Sequence, residues 1–364
     1  TKITKGISMN LEQTAGAGDY KTVTQSGWPT EGYILNTELS KCENGSTLSW
    51  DDTKKVVIVS GNLSDKCYVY FDKVFTLANY VISQYTGTQG ENAIYYHNSS
   101  LSNGAKDNSY RYAGANPNNY VCFGTSESSC PTDNLYRIIG VIDGKVKLIK
   151  YDYANSNLLG KDGSISPGID APTASIYKGS LTSINTYYWN NSTFSNIWRE
   201  SNLNKINLNT NYINNIGTTW ANKIATTTWK VGENTYANVR DVVPATTYQY
   251  EVGSNAPTTT YDAKIGLMYV SDYGFAASPD AWTLTMYNYN NSTATSNNWM
   301  YMGYKEWVIS SSSDNSDAFM VRLNGGVDSD LVDDYLGVRP SFNLTSSVTY
   351  ISGSGSKSDP IIID

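Results

Sequence analysis

The sequence predicts an α+β fold in which antiparallel strands outnumber helices. Short runs of β-prone residues recur along the 364 residues, and stretches rich in Gly, Ser, Asn and Asp separate them. Asp143 and Gly144 lie between two of these runs, at 135–142 and 145–151, and an Asp-Gly pair in such a place is the strongest short signal for a β-hairpin. Helical periodicity is clearest at 196–225, where we expect two helices between an early and a late group of strands. That order is typical of α+β proteins, because alternating β-α-β units are absent.

The spacing of the runs predicts three segments along the chain. We expect a small module of β-hairpins at 1–72, a helical connector at 73–92, and one large domain at 93–364. In the connector, Leu77 and Val81 fall on one face of a short amphipathic helix. Late strands of the large domain are expected at 227–231, 247–252, 263–271 and 282–287, and within 304–344.

The composition indicates an exported protein. Charged residues make up 16% of the chain, against about 25% in ordinary globular domains, and the chain has 30 Tyr but only 7 Phe. A chain rich in Tyr, Ser, Gly and Asn with few charges is typical of extracellular strands and adaptable binding surfaces. The net charge of -7 opposes binding to nucleic acid or to anionic membranes, because both need a positive field. No apolar run approaches the ~18 residues of a membrane span, so we expect a soluble, processed chain without membrane insertion.

Four cysteines indicate two disulfides. Three pairings are possible, and sequence locality favours Cys42 with Cys67 and Cys122 with Cys130. A zinc site is the minor alternative, because no CxxC spacing and no neighbouring His occur. Disulfides form in oxidising compartments, so we expect an extracellular location, on a cell surface or a surface appendage.

The sequence offers little for catalysis or for a cofactor. His97 is the one histidine, and without a second one a Ser or Cys nucleophile has no obvious base, so His97 is expected to fill space or to be exposed. GxSxG, P-loop, HExxH and GxGxxG motifs are absent, and we expect neither an enzyme nor a cofactor. Acidic residues cluster at 314–317 and 328–334, where bound calcium is the alternative to a solvated loop, although no EF-hand spacing occurs.

Residues 304–344 alternate between two kinds of segment. Apolar, strand-like runs around Trp307, Phe319 and Phe342 are separated by polar and acidic segments at 311–317 and 322–336. Strands that return twice through polar loops hold those loops side by side, as a rigid scaffold presents a recognition surface. We therefore expect the side chains of the two polar segments to point away from the core.

Several stretches together resemble one family. They are LYRIIGVIDGKVKLIK, KIGLMYVSDYGFA, EWVISSSS and GVRPSFNLTSSVTYISGSGSKSDP. They resemble surface proteins of Gram-positive gut bacteria that carry a domain similar to the C-type-lectin and formylglycine-generating-enzyme fold. SKCENGSTLSW and SDKCYVYF look like the small disulfide hairpin module that often precedes that domain. The resemblance covers roughly residues 30–364, and the GVRP ending after a WxIS strand is its most specific element.

The resemblance implies a ligand-binding face between the WxIS strand and GVRP, which retroelements diversify in some members of that superfamily. The residues at matching positions are Ser312, Asp314, Asn315, Asp317, Arg322, Asn324, Asp328, Asp330, Leu331, Asp334, Tyr335 and Leu336. Tyr287 and Tyr289 join them because YNYNN, at 287–291, alternates aromatic and amide side chains in a predicted loop. The paired catalytic cysteines of the formylglycine-generating enzymes and the EPN and WND motifs of calcium-dependent lectins are missing.

Three hypotheses of function follow. The first is an adhesin that binds a protein or carbohydrate ligand on another cell surface. The second is a structural subunit of an extracellular filament or pilus, which self-associates through residues 1–30 donated as a strand to a neighbour's sheet. The third is a formylglycine-generating-like enzyme, against which the missing cysteine pair and the single histidine count.

Overall fold

The computed structural model describes residues 6–29, 32–51, 54–62, 64–127, 129–314 and 316–364. The chain divides into two compact units, Thr1–Asn79 and Tyr80–Asp364. Strands are the commonest element, and the described residues form eight α-helices of four to eight residues each. The α+β class is therefore confirmed, whereas the expected number of helices is too low.

The first unit is built on a five-stranded sheet. The described strands of this unit are β1 (Gly6–Glu12), β2 (Tyr20–Val23), β3 (Tyr33–Leu35), β4 (Lys41–Cys42), β5 (Thr47–Asp51), β6 (Val56–Ser60) and β7 (Lys66–Lys73). The strand order is β2-β1-β7-β3, with β4 also paired to β7, and β5 and β6 form a separate hairpin. β1 runs parallel to β7, and Met9 and Leu11 pack with Val69 and Phe71 in the core. The N-terminal strand therefore lies within the sheet of its own chain.

Two disulfides join the cysteines in the pairs that sequence locality favours. Cys42 and Cys67 are opposite each other in the register of β4 and β7, and they are bonded. Cys122 is bonded to Cys130 in the second unit. The first bond closes a loop with a sequence separation of 25, which adds roughly 3 kcal/mol to stability by restricting the unfolded chain.

The helices are short and spread along the chain. The predicted connector helix is present as α1. The α-helices are α1 (Leu77–Ser83), α2 (Ser156–Leu159), α3 (Ile213–Ile216), α4 (Thr218–Ala221), α5 (Tyr236–Val239), α6 (Pro244–Glu251), α7 (Val270–Phe275) and α8 (Ser292–Ser296).

The first strands of the second unit are β8 (Ile94–Tyr96), β9 (Tyr110–Tyr112), β10 (Tyr120–Cys122), β11 (Leu135–Ile142), β12 (Lys145–Lys150), β13 (Ile165–Asp170) and β14 (Ile184–Tyr188). The later strands are β15 (Thr227–Lys230), β16 (Thr260–Ala263), β17 (Glu306–Ser311), β18 (Asp317–Val321), β19 (Val327–Leu331), β20 (Tyr335–Leu336), β21 (Ser341–Asn343), β22 (Tyr350–Ser352) and β23 (Ile362–Ile363).

The largest sheet of the second unit contains the predicted hairpin. Its order is β21-β12-β11-β9-β8, and β10 also pairs with β11. β11 and β12 are antiparallel with Ile142 opposite Lys145, so Asp143 and Gly144 form a two-residue turn. Both turn residues have positive φ, 50° and 73°, as a type I′ turn requires. The Asp-Gly prediction is therefore confirmed.

Several predicted late strands are wrong. Residues 247–252 belong mostly to α6, residues 263–271 contain the end of β16 and the start of α7, and residues 282–287 form no strand. For the first two segments the reason is a tertiary contact, because the buried Glu251 carboxylate accepts hydrogen bonds from the backbone N–H groups of Val270 (2.9 Å) and Ser271 (2.8 Å). These are free donors in the first turn of a helix, and a buried acceptor stabilises that turn.

The Asn-rich segment in the middle of the chain is helical, as predicted, but most of it is a π-helix at Leu203–Tyr212. Its buried amides bind neighbouring backbone. The Nδ2 of Asn207 donates to the carbonyl of Leu159 (2.8 Å), and its Oδ1 accepts from the N–H of Ser164 (2.9 Å). The asparagines therefore pair polar groups in the interior, where an unpaired one costs about 1 to 3 kcal/mol.

A buried ion pair connects the EWVIS and GVRP stretches. Arg339 donates from Nε and Nη2 to the two carboxylate oxygens of Glu306, at 2.7 and 2.6 Å, and both side chains are almost inaccessible. Arg339 also donates to the carbonyl of Met300 (2.8 Å). The most specific motif of the chain therefore lies in the interior.

Candidate ligand-binding surface

A three-stranded sheet carries most of the predicted face. β17, β18 and β19 follow one another in antiparallel order. Phe319, Val321 and Val327 lie in a large buried core cluster of the unit, so their backbone is held in place by packing. The turn at 322–326 and the outer strand β19 are therefore presented on a rigid base.

Tyr287 lies close to two arginines at this turn. The guanidinium carbons of Arg240 and Arg322 are each 5.1 Å from the centre of its ring. Arg240 also lies 4.1 Å from the ring of Tyr236. Contacts of this kind contribute about 0.5 to 1 kcal/mol at exposed sites. These contacts hold the Tyr287 side chain in one arrangement. Because Tyr287 remains 38% exposed, its ring still reaches solvent.

Asp328 of β19 binds both arginines. Its Oδ1 is 3.0 Å from Nη1 of Arg240, and its other oxygen pairs with Nη2 of Arg322. Arg240 also pairs with Asp241 at 2.8 Å. Each guanidinium is therefore fixed by a carboxylate and an aromatic ring, which reduces the conformational entropy lost when a partner binds. We call Tyr287, Arg240, Arg322 and Asp328 the arginine-tyrosine cluster.

A hydrogen-bonded chain extends from the cluster into the sheet. The Ser329 hydroxyl donates to Oδ2 of Asp317 (2.8 Å), and it lies 2.6 Å from the hydroxyl of Tyr236. Because the one hydroxyl proton of Ser329 goes to the carboxylate, Tyr236 donates to Ser329. The chain orients Tyr236, whose ring supports Arg240.

Asp330 and Asp334 form a second group at the other end of β19. Partial burial raises the pKa of Asp330 to about 6, together with a hydrogen bond to Asp334 and the charge of that residue. Nearby, the Nζ of Lys305 is 5.7 Å from the ring of Tyr335, and this ring meets Tyr188 edge-on at 6.2 Å. The surface therefore combines a proton-sharing pair of carboxylates with an exposed aromatic ring.

The Asp330 pair predicts a pH dependence of stability. The pKa of Asp330 is higher in the folded chain, about 6, than its ordinary value of 3.8, so the folded state binds more protons between these values. Stability is therefore expected to fall as pH rises from about 4 to 6. Asp330→Asn should remove this part of the dependence and raise the melting temperature at pH 7, whereas Asp314→Asn, at an exposed residue, should not. Melting curves at pH 4, 5, 6 and 7 test this, and an unchanged slope in Asp330→Asn would contradict it.

The predicted face residues fall into three groups by exposure. The exposed ones are Tyr287, Asp314, Asn324, Leu331 and Tyr335. The partly buried ones are Asp317, Arg322, Asp328, Asp330 and Asp334. Tyr289, Ser312 and Leu336 are buried, and Asn315 lies outside the described residues.

The expectation that the polar segments point outward is wrong for Ser312 and Leu336, and the expectation that Tyr289 lies in a binding loop open to a ligand is wrong as well. Tyr289 belongs to the core cluster, and its hydroxyl donates to the carbonyl of Gly274 (3.0 Å). Leu336 pairs with Tyr187 between β20 and β14. The carbonyl of Ser312 accepts from Nδ2 of Asn196 (2.6 Å), which ties this loop to residues far away in sequence. None of the three side chains is available to a partner in this arrangement.

Other residues of the surface were not predicted. Arg240 and Tyr236 precede β19 by about 90 residues, and no local pattern connects them to it. Phe194 is 59% exposed with φ of 53°, in a loop whose Asn196 also binds the carbonyls of Asp314 and Asp317. A single Phe in the polar stretch NNSTFSN was the available signal. A bulky side chain at positive φ is uncommon and indicates a local constraint.

Comparison of this chain with known proteins identifies no relative. No family model, no curated protein and no solved structure matches this chain. Within the described residues, no three His, Cys, Asp or Glu side chains are placed to share a metal ion. The helices of the described residues are all too short or too polar to cross a membrane. The function is therefore argued from the surface itself.

Proposed function

We propose that this chain is an extracellular adhesin whose second unit is a C-type-lectin-like domain. The arginine-tyrosine cluster and the exposed Leu331 and Tyr335 form its recognition surface. The observation that carries the proposal is that Tyr287 contacts both Arg240 and Arg322 while still 38% exposed. Tyr and Arg are the residue types most often found at the energetic centres of interfaces.

The surface suits a protein partner better than a small ligand. Small ligands bind in concave sites. The four described cavities of about 170 to 340 Å³ are lined by other residues. The surface instead presents mixed charges next to large apolar side chains, among them Leu323 (42% exposed) and Leu331 (50% exposed). Such a mixture, with aromatic and Arg anchors, is typical of protein interfaces.

The two disulfides support an extracellular location, because disulfides persist in oxidising compartments. A chain with few charges and many Tyr residues fits the same compartment. The alternative hypotheses are a glycan ligand and a filament partner. The experiment below distinguishes a glycan ligand from a protein partner.

Binding of fluorescently labelled protein to intact bacterial and epithelial cells tests the proposal. Arg322→Ala and Tyr287→Ala should each reduce binding about tenfold or more, since interface hot spots contribute at least ~2 kcal/mol. Lys223→Ala is the matched control, because Lys223 also lies over an aromatic ring, that of Trp220 at 5.7 Å, and pairs with an Asp at 3.5 Å.

Trypsin treatment of the cells should abolish binding, and periodate treatment should not, if the partner is a protein. Binding that survives trypsin and is lost after periodate would assign a glycan instead. Full binding by both cluster variants would place the recognition surface elsewhere.

A further inference from the structure

Arg137 of β11 is a buried cation without a buried anion. It is 5% exposed, and no carboxylate among the described residues forms an ion pair with it. The other deeply buried arginines in the described part of the chain are paired, Arg111 with Asp107 and Asp272, and Arg339 with Glu306. Arginine is seldom fully buried unless it is paired. The missing counter-charge is therefore a property specific to this site.

Two N–H groups of Arg137 donate to no acceptor among the described residues. Its Nε donates to Oδ1 of Asn119 (2.8 Å), Nη2 donates to the carbonyl of Pro117 (3.1 Å), and Nη1 makes a long contact with the carbonyl of Trp299 (3.4 Å). A guanidinium has five N–H groups. One N–H donor therefore remains on each terminal nitrogen, and charged N–H donors of this kind form strong hydrogen bonds with a carboxylate.

The guanidinium lines a cavity with aromatic walls. The cavity has a volume of about 280 Å³, and its walls include Tyr120, Tyr151 and Trp299. Arg137 lies 4.2 Å from the ring centre of Tyr120 and 4.6 Å from that of Trp299. Aromatic faces accept the apolar face of a small ring. This volume is just below the roughly 300 to 1,000 Å³ of most ligand pockets, so a ligand has to be small.

A second cation lies in the lining of this cavity. The Nζ of Lys178 donates to the carbonyl of Thr295 (2.7 Å) and lies 4.8 Å from the ring of Tyr301. Partial burial, and then the charge of Arg137, lower the pKa of Lys178 although its side chain still reaches solvent. Burial lowers the pKa of Arg137 to about 10, and the charge of Arg339 acts in the same direction. The lining contains two cations and no acidic residue, so an anionic ligand would relieve the repulsion between the two cations.

We propose that this cavity binds a small carboxylate of about monosaccharide size, a sugar acid. Its carboxylate meets the two remaining N–H donors of Arg137, its ring packs against the aromatic lining of the cavity, and Lys178 adds charge. The site shares no residue with the arginine-tyrosine cluster. The sugar-acid proposal can therefore be tested independently of the adhesin proposal.

Isothermal titration and thermal melting of the full chain with N-acetylneuraminate and with glucuronate test the site. Glucose and N-acetylglucosamine are the uncharged controls, and inorganic sulfate is the alternative anion. At about 10 mM, at least one of the two sugar acids should bind and raise the melting temperature, because a ligand that binds only the folded state stabilises it. The uncharged sugars should have no effect.

Arg137→Met should weaken binding of the sugar acid about 30-fold or more, since losing a buried charged hydrogen bond typically costs at least ~2 kcal/mol of affinity. Lys178→Met should weaken it several-fold and leave folding intact, because Lys178 is exposed. Lys66→Met, which removes an exposed lysine lying 5.0 Å from the ring of Tyr68 in the first unit, is the control and should bind as the parent does.

Three results would overturn the proposal: no binding by either sugar acid, equal binding by the uncharged sugars, or tighter binding of sulfate. If Arg137→Met fails to fold, the Lys178→Met titration decides, and unchanged affinity in that variant also overturns it.

Discussion

Replacing Arg339 by methionine should lower the free energy of unfolding by about 3 to 5 kcal/mol. The change removes a bidentate partner, at 2.6 and 2.7 Å, from Glu306, which is 1% exposed. Glu306 would then be a buried carboxylate without a cation. Chemical denaturation of the variant and the parent measures the difference. A loss below about 1 kcal/mol would show that Glu306 finds another partner or reaches water.

The pH dependence of this loss gives a second measurement. Burial already raises the pKa of Glu306 above its ordinary value of 4.5, and Arg339 opposes that shift. Without Arg339 the folded-state pKa should rise further. A folded pKa above the unfolded one gives stability that is present at low pH and lost as pH rises. The deficit of Arg339→Met should therefore be smaller at pH 5 than at pH 8.

A double variant separates the pair from the packing. Arg339→Met combined with Glu306→Leu removes both charges at similar volume, and such replacements of buried pairs are often neutral or stabilising. The double variant should therefore recover most of the stability lost in the single one. Equal losses in the single and double variants would mean that the contacts of Arg339 with Met300 and Tyr153 matter more than the pair.

The features that could be predicted from the sequence depend on residues that lie close together along the chain. The Asp-Gly hairpin depends on two adjacent residues that accept positive φ. The pairing of Cys42 with Cys67 and of Cys122 with Cys130 follows short separations of 25 and 8 residues. In each case the information lies within a short stretch, so a pattern can indicate it.

What could not be predicted depends on side chains distant in sequence. Residues 247–252 have the β-prone composition of a strand, yet the carboxylate of Glu251 binds the first turn of α7, and helix α6 positions it there. Tyr289 has the composition of a binding loop, yet its hydroxyl binds Gly274 in the core. Arg240 joins the candidate surface because it bonds to Asp328, 88 positions later. A period or a composition carries no information about such contacts.

The predicted face was therefore right about the scaffold and incomplete about its surface. Phe319 and Val338 are fully buried, as expected of a scaffold, while the residues between them differ widely in exposure. The exposed tips of the loops followed from turn-forming composition. The arginine-tyrosine cluster followed only in part, because Tyr287, Arg322 and Asp328 were predicted whereas Arg240 was not.

Substitutions in the scaffold should lower stability, whereas substitutions on the surface should reduce binding. Phe319→Ala should lower the free energy of unfolding by about 3 to 5 kcal/mol, because it leaves a cavity in the core cluster and removes the edge-on contact with Tyr236, whose ring centre is 5.9 Å away. Tyr335→Ala should change it by about 0.5 kcal/mol or less, since that side chain is 42% exposed, and should instead reduce cell binding. Arg322→Ala should likewise reduce cell binding without unfolding the unit. Asp330→Ala should also reduce binding, while raising the melting temperature at pH 7 because it removes the carboxylate whose pKa is raised. Val338→Ala and Phe342→Ala should lower stability as Phe319→Ala does. Calorimetric melting of the second unit and cell binding, measured on the same preparations, test the separation. If Tyr335→Ala unfolds while Phe319→Ala does not, the segment is core and the recognition surface proposed for it is wrong.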